Sequence, residues 1–133
     1  MKKILVVDDE DDILHFLELV LREKGYQVVT ASGGHEALTK AQLERPDLVL
    51  LDIMMPELSG FEVLEAMARD PSTSGIPVVV LAAGGDEVDS RSGLALGVRK
   101  HMSKPFDVRA LVAEIRRHVG RSGRSDGERR ATL

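Results

Sequence analysis

Leu48-Val49-Leu50-Leu51-Asp52 sets four apolar positions in a row and closes them with an acid. An apolar run this short has the length of a strand, and its lack of alternation belongs to a strand buried on both faces. Three similar runs lie around it: Ile4 to Val7, Val78 to Leu81, and the more polar Tyr26 to Ala31 with Val28 and Val29 at its centre. Helical spacing fills the gaps. Ile13, Leu14, Leu17, Val20 and Leu21 form one apolar face before Gly25, and Ala37, Leu38 and Ala41 form a second before Pro46, so both stretches end on helix-stopping residues. A third helix is expected over Phe61 to Met67 and a fourth, interrupted by Gly93, over about Asp86 to Leu96. The last is the clearest, with Val108, Leu111, Val112, Ile115 and Val119 on a single stripe.

The alternation requires a fifth strand in the polar segment Arg99 to Ser103. Strand and helix alternating five times predict an α/β fold with a parallel sheet covered on both faces and right-handed crossovers. Runs two and five are the polar ones and are therefore assigned to the edges, which gives the doubly wound order 2-1-3-4-5.

The 133 residues suit one domain with a tail, with 1–120 as the domain and 121–133 as a flexible tail or the start of a linker. That tail carries four arginines against Asp126 and Glu128 and has no apolar period, while the rest of the chain holds a charge of −6. The chain is 43% hydrophobic, 30% charged and −4 overall, a balance that argues against direct nucleic-acid binding. The absence of cysteine removes disulfides, thiolate metal sites and thiol nucleophiles. The apolar stretch at Ile4 to Val7 is too short for a signal peptide or a membrane span, so a cytoplasmic protein without membrane insertion is expected.

In such sheets ligands sit beyond the carboxyl ends of the strands, at the switch point. The residues there are Asp8 and Asp9 after strand one, Asp52 after strand three, Ala82 after strand four and Lys104 after strand five. An all-oxygen acid set without His or Cys suits a hard ion, and a small set with open positions favours Mg²⁺. Glu10, Asp11 and Asp12 are read instead as an acidic first turn complementing the helix dipole. A hydrolase with a strand-one aspartate nucleophile would want an acid of different length at Glu10 and would leave residues 52–56 unexplained. Gly84-Gly85-Asp86-Glu87 spells most of a cyclic-dinucleotide synthase signature, but it falls in the loop after strand four rather than on a hairpin.

Val6-Val7-Asp8-Asp9-Glu10, Pro46-Asp47-Leu48-Val49-Leu50-Leu51-Asp52-Ile53-Met54-Met55-Pro56 with Gly60, and Gly97 followed by Ser103-Lys104-Pro105-Phe106 together carry a resemblance. Over residues 3 to 119 the chain resembles the receiver domains of bacterial two-component response regulators, a flavodoxin-like fold. The resemblance implies that Asp52 is the phosphoacceptor and that Asp8, Asp9, Asp52 and the Met54 carbonyl hold Mg²⁺. It also implies that Lys104 contacts the phosphoryl group and that Lys104-Pro105 is a cis peptide, with Ala83 and Gly84 in the loop beside the site. The implied partners are a histidine kinase or phosphotransfer protein as donor and a downstream protein. The latter would dock on the face made by the 86–96 helix, strand five and the last helix. Such a domain promotes its own phosphorylation and dephosphorylation without being a turnover enzyme.

Two positions depart from that pattern. The family usually has Thr or Ser at Ala82 and Tyr or Phe at His101, the two ends of its switch. Alanine has no hydroxyl to donate, and His101 is either part of an altered switch or an edge-strand histidine without a switching role. A phosphorylation-independent interaction module with the same fold is the rival reading.

Overall fold

A computed structural model describes residues 1–83 and 97–120. The helix expected over 86–96, Gly84 with the loop it begins, and the tail 121–133 lie outside the described residues. The elements run β1 (Lys3–Val7), α1 (Asp11–Glu23), β2 (Gln27–Ala31), α2 (Gly34–Glu44), β3 (Leu48–Asp52), α3 (Gly60–Arg69), β4 (Val78–Ala83), β5 (Val98–Lys104) and α4 (Val108–Val119). The strands form one parallel sheet in the order β2-β1-β3-β4-β5, as the polarity of the runs predicts.

Successive side chains of a strand point to opposite faces, and here the faces are buried against different helices. Val49, Leu51, Val78, Val80 and Ala82 pack with Ala37 and Ala41 of α2 and with Val63, Leu64 and Met67 of α3. Ile4, Val6, Leu48, Leu50, Val79 and Leu81 pack with Leu14, Leu17 and Leu21 of α1 and with Leu111, Val112 and Ile115 of α4. Every residue of β3 is buried, which is why its sequence does not alternate. No helix among the described residues is long and apolar enough to cross a membrane.

Two local features differ from what the sequence reading expected, and a third adds to it. Helix α3 begins at Gly60, a residue earlier than expected, because Ser59 caps it: its Oγ accepts from the Glu62 amide while Glu62 accepts from the Ser59 amide. Strand β5 extends from Val98 to Lys104 and contains a bulge, since Val98 faces Val78 but Lys100 faces Val79. The unpaired Arg99 turns His101, opposite Val80, onto the sheet face that holds Val98 and Ala82. Finally, β2 is an edge whose outward carbonyls are covered. Gln27 and Ala31 bond toward β1, whereas Val28 and Thr30 turn outward, where Arg22 of α1 and Lys40 of α2 donate to their carbonyl oxygens. Charged side chains laid over an edge in this way oppose the addition of a further strand.

Candidate functional site

Three strands end at one place. Asp8 directly follows β1, Asp52 is the last residue of β3, and Lys104 is the last residue of β5. Strands running in parallel deliver these polar side chains to the carboxyl edge of the sheet, where ligands of such folds bind. Asp8 is fully buried; its Oδ1 accepts from the Glu10 amide at 2.9 Å and its Oδ2 from Lys104 Nζ at 2.7 Å. Asp52 is also buried, accepts from the Met54 amide at 3.2 Å through Oδ1, and places Oδ2 3.4 Å from the same ammonium.

Burial raises the Asp52 carboxyl, and the Asp8 charge raises it further. The Lys104 charge and the Met54 amide oppose this, and the balance is pushed up to about 6. For Lys104 burial acts the other way, but the Asp8 hydrogen bond and the charges of Asp8 and Asp52 outweigh it and hold the ammonium above its ordinary range. One lysine therefore does not fully compensate the acids around it.

The most compact acid cluster among the described residues is Asp8, Asp9 and Glu10, with carboxylate oxygens within 4.8 Å of one another. Asp9 lies where the sequence placed it, exposed at the mouth of the site. Glu10 is a correction: it occupies the N-cap position of α1 without accepting a helix amide, and its Oε1 lies 3.8 Å from Lys104 Nζ. Its side chain thus belongs to the acid site and not only to the helix dipole. Asp11 and Asp12 remain the acidic first turn. Asp52 stands apart from the compact cluster and joins it through Lys104.

The loop after β3 is held close to the site. Met54 is largely exposed, and the Gly60 amide donates to the Ile53 carbonyl at 2.9 Å. A Cβ at Gly60 would lie 2.6 Å from Ile53 Cα and 2.7 Å from the Asp52 carbonyl oxygen, so a side chain there would push directly on the backbone of Asp52. The Lys104-Pro105 peptide is cis. Ala82, opposite Ser103, is buried in the sheet beside the site, Ala83 lies opposite Lys104, and His101 is half-buried. His118 on α4 is half-buried, with Nε2 3.3 Å from Glu114 Oε2.

Chemically the site offers a buried carboxylate, a lysine beside it, and hard oxygen donors at an open mouth. The profile of the response regulator receiver domain matches residues 4–116. The probable transcriptional regulator ycf27 of Cyanophora paradoxa is 50% identical over 115 residues, covering 86% of this chain and 47% of its own. The alkaline phosphatase synthesis transcriptional regulatory protein PhoP of Bacillus subtilis (strain 168) is 44% identical over 121 residues, covering 91% of this chain and 50% of its own. The chain therefore spans about half the length of these curated relatives. Among solved structures, Vibrio cholerae chemotaxis protein CheY4 is similar with a TM-score of 0.81 and 33% identity, covering 89% of this chain and 98% of that one.

Proposed function

The chain belongs to the response regulator receiver domain family, and from that membership we propose that Asp52 is its phosphoacceptor, with Asp8, Asp9 and Lys104 as the supporting residues. The observation that carries this reading is the convergence of buried Asp52 and Asp8 on the single ammonium of Lys104. Among the described residues there are acids and a lysine at the strand ends, and with a divalent ion held by those acids a carboxylate can accept a phosphoryl group without a separate base.

At neutral pH the Asp52 carboxyl is mostly ionised, so its oxygen attacks phosphorus without a separate base. As the new P–O bond forms in line, the P–N bond of a phosphohistidine donor breaks and the imidazole keeps the electron pair. Lys104, 3.4 Å from the Asp52 oxygen, neutralises charge on the transferring group's equatorial oxygens. The donor set fits Mg²⁺: it is all oxygen, it is clustered, and the raised Asp52 carboxyl marks a shortage of positive charge. Asp8, Asp9, Asp52 and the Met54 carbonyl would hold the ion, and Glu10 stands within reach of the same place. When bound, Mg²⁺ would supply the charge that lets acid set and phosphoryl group coexist.

The donor is a histidine kinase or phosphotransfer protein, and the signal passes on through protein contacts. Ala82 donates no hydrogen bond to the phosphoryl group, so uptake and conformational response separate in this chain. His101 shares a sheet face with Ala82 and is the position through which the altered response passes. Incubating the intact protein with acetyl phosphate tests the reading: one phosphoryl group is gained in Mg²⁺ and none with excess chelator. Absence of labelling in Mg²⁺, from acetyl phosphate and from a phosphorylated kinase alike, favours a phosphorylation-independent interaction module.

A further inference from the structure

The chain has five methionines, and the fold treats them unequally. Met55 and Met67 are buried, 8% and 3% exposed, and Met102 packs against the apolar cluster shared by α1 and α4. Met54 is 59% exposed, and only Met1, at 72%, is more open. A thioether that an oxidant can reach is converted to the sulfoxide, which puts a polar S–O group where an apolar one stood.

Met54 stands where that change meets the acid site. It is the second residue beyond Asp52, and its amide donates to Asp52 Oδ1 at 3.2 Å. Its neighbours fix the backbone: Ile53 and Met55 are buried, and the Gly60 amide holds the Ile53 carbonyl at 2.9 Å. The loop therefore has little freedom to carry a modified side chain away from Asp52. A sulfoxide oxygen is a good acceptor and the negative end of a dipole. Beside acids already short of positive charge, such a dipole disfavours an incoming phosphoryl group. By binding water at the mouth, the same oxygen favours hydrolysis of the acyl phosphate once it has formed. Both effects lower the fraction of protein that carries phosphate.

We propose that Met54 is a peroxide-sensitive modification site and that its oxidation lowers phosphorylation at Asp52. The second part rests on the phosphoacceptor reading; the first does not. The oxidant is hydrogen peroxide or another hydroperoxide. The sulfur lone pair attacks a peroxide oxygen as the O–O bond breaks, and the departing hydroxide takes the proton of the sulfur-bound oxygen and leaves as water. Sulfur gives up two electrons and the peroxide accepts them.

The test treats the intact protein with hydrogen peroxide in chelator, quenches with catalase and maps the sulfoxides by mass spectrometry. Acetyl phosphate and Mg²⁺ are then added, and the phosphorylated fraction is read from the intact mass. Met54 is expected to oxidise at least about tenfold faster than Met55 or Met67, following exposure. The phosphorylated fraction should fall by roughly threefold or more, the scale of one neutral hydrogen bond, and methionine sulfoxide reductases should restore it. Met54→Leu, compared with its own untreated sample, should show no fall, although Met1 is still oxidised in it. Oxidation of Met54 no faster than of Met67 overturns the proposal. So does an oxidised wild type that keeps its phosphorylated fraction, or a Met54→Leu that loses as much. An untreated wild type that takes up no phosphoryl group overturns the phosphoacceptor reading, and the second part of the proposal with it, while the sulfoxide map still decides the first.

Discussion

Lys104 and Asp8, 96 residues apart in sequence, form the shortest ion pair of the described residues, 2.7 Å from Nζ to Oδ2. Asp8 is fully buried, so this contact holds a charge that the fold could not otherwise keep at the end of β1. Lys104→Ala leaves that charge without its cation. Breaking one side of a buried pair costs about 3 kcal/mol, and urea denaturation in chelator should show a loss of this size at pH 7. Mg²⁺ should restore part of it. Unchanged stability would mean that Asp8 does not depend on Lys104.

Asp52 makes the metal-free fold sensitive to pH in the opposite sense to an ordinary paired carboxylate. Its folded value of about 6 stands above the ordinary aspartate value of 3.8. The group's favourable contribution is therefore complete below the unfolded value and is lost as pH rises through about 6. Asp52→Asn should match wild type near pH 4 and exceed it in stability at pH 7 by about 2–3 kcal/mol in chelator. Mg²⁺ should narrow the gap. A difference that is constant with pH, or that has the reverse sign, would contradict the assignment.

Gly60 and Gly33 give a paired test of local packing. Gly60→Ala drives a Cβ into Ile53 and the Asp52 carbonyl, and should cost about 2 kcal/mol or more. Gly33 has extended backbone, and a Cβ added there would meet nothing within 4 Å, so it should accept Ala within about 0.5 kcal/mol. Thermal denaturation of both variants checks this, and equal effects would count against the close approach at Gly60.

The strands of this fold were readable because burial on both sheet faces leaves uninterrupted apolar runs, as at Leu48 to Leu51, and because polarity ranked β2 and β5 as edges. Asp8, Asp52 and Lys104 were readable because each sits at a strand's carboxyl end. What sequence could not give was the partner of each group. Lys104 was expected to meet a phosphoryl group, and its contact with Asp8 depends on two strands that are not neighbours in the sheet. Glu10 looks like any acid opening a helix until its side chain is seen to turn toward Lys104. The face of His101 was hidden by the bulge at Arg99, since one unpaired residue inverts the alternation after it. The Ser59 cap, by contrast, had a signal in the sequence: Ser59 and Glu62 at capping-box spacing.

Ala82→Thr should enlarge the response to beryllofluoride without being needed for its binding. A hydrogen bond to a charged group contributes about 1.5–3 kcal/mol, which corresponds to roughly 10- to 150-fold in a two-state ratio. NMR shift changes over Val98 to Met102 should grow in Ala82→Thr and grow again when His101→Tyr is added, because the two positions share a sheet face. A full response in wild type, unchanged by either substitution, would remove the hydroxyl from the account.

The most direct measurement locates the phosphoryl group itself. Wild type and Asp52→Asn are treated with acetyl phosphate and Mg²⁺, digested, and mapped by mass spectrometry after borohydride trapping of the acyl phosphate. The account predicts a single modified residue in wild type, Asp52, and no modification in the variant. Equal labelling of the two proteins, or trapping at Asp8 or Asp9 in wild type, would contradict it.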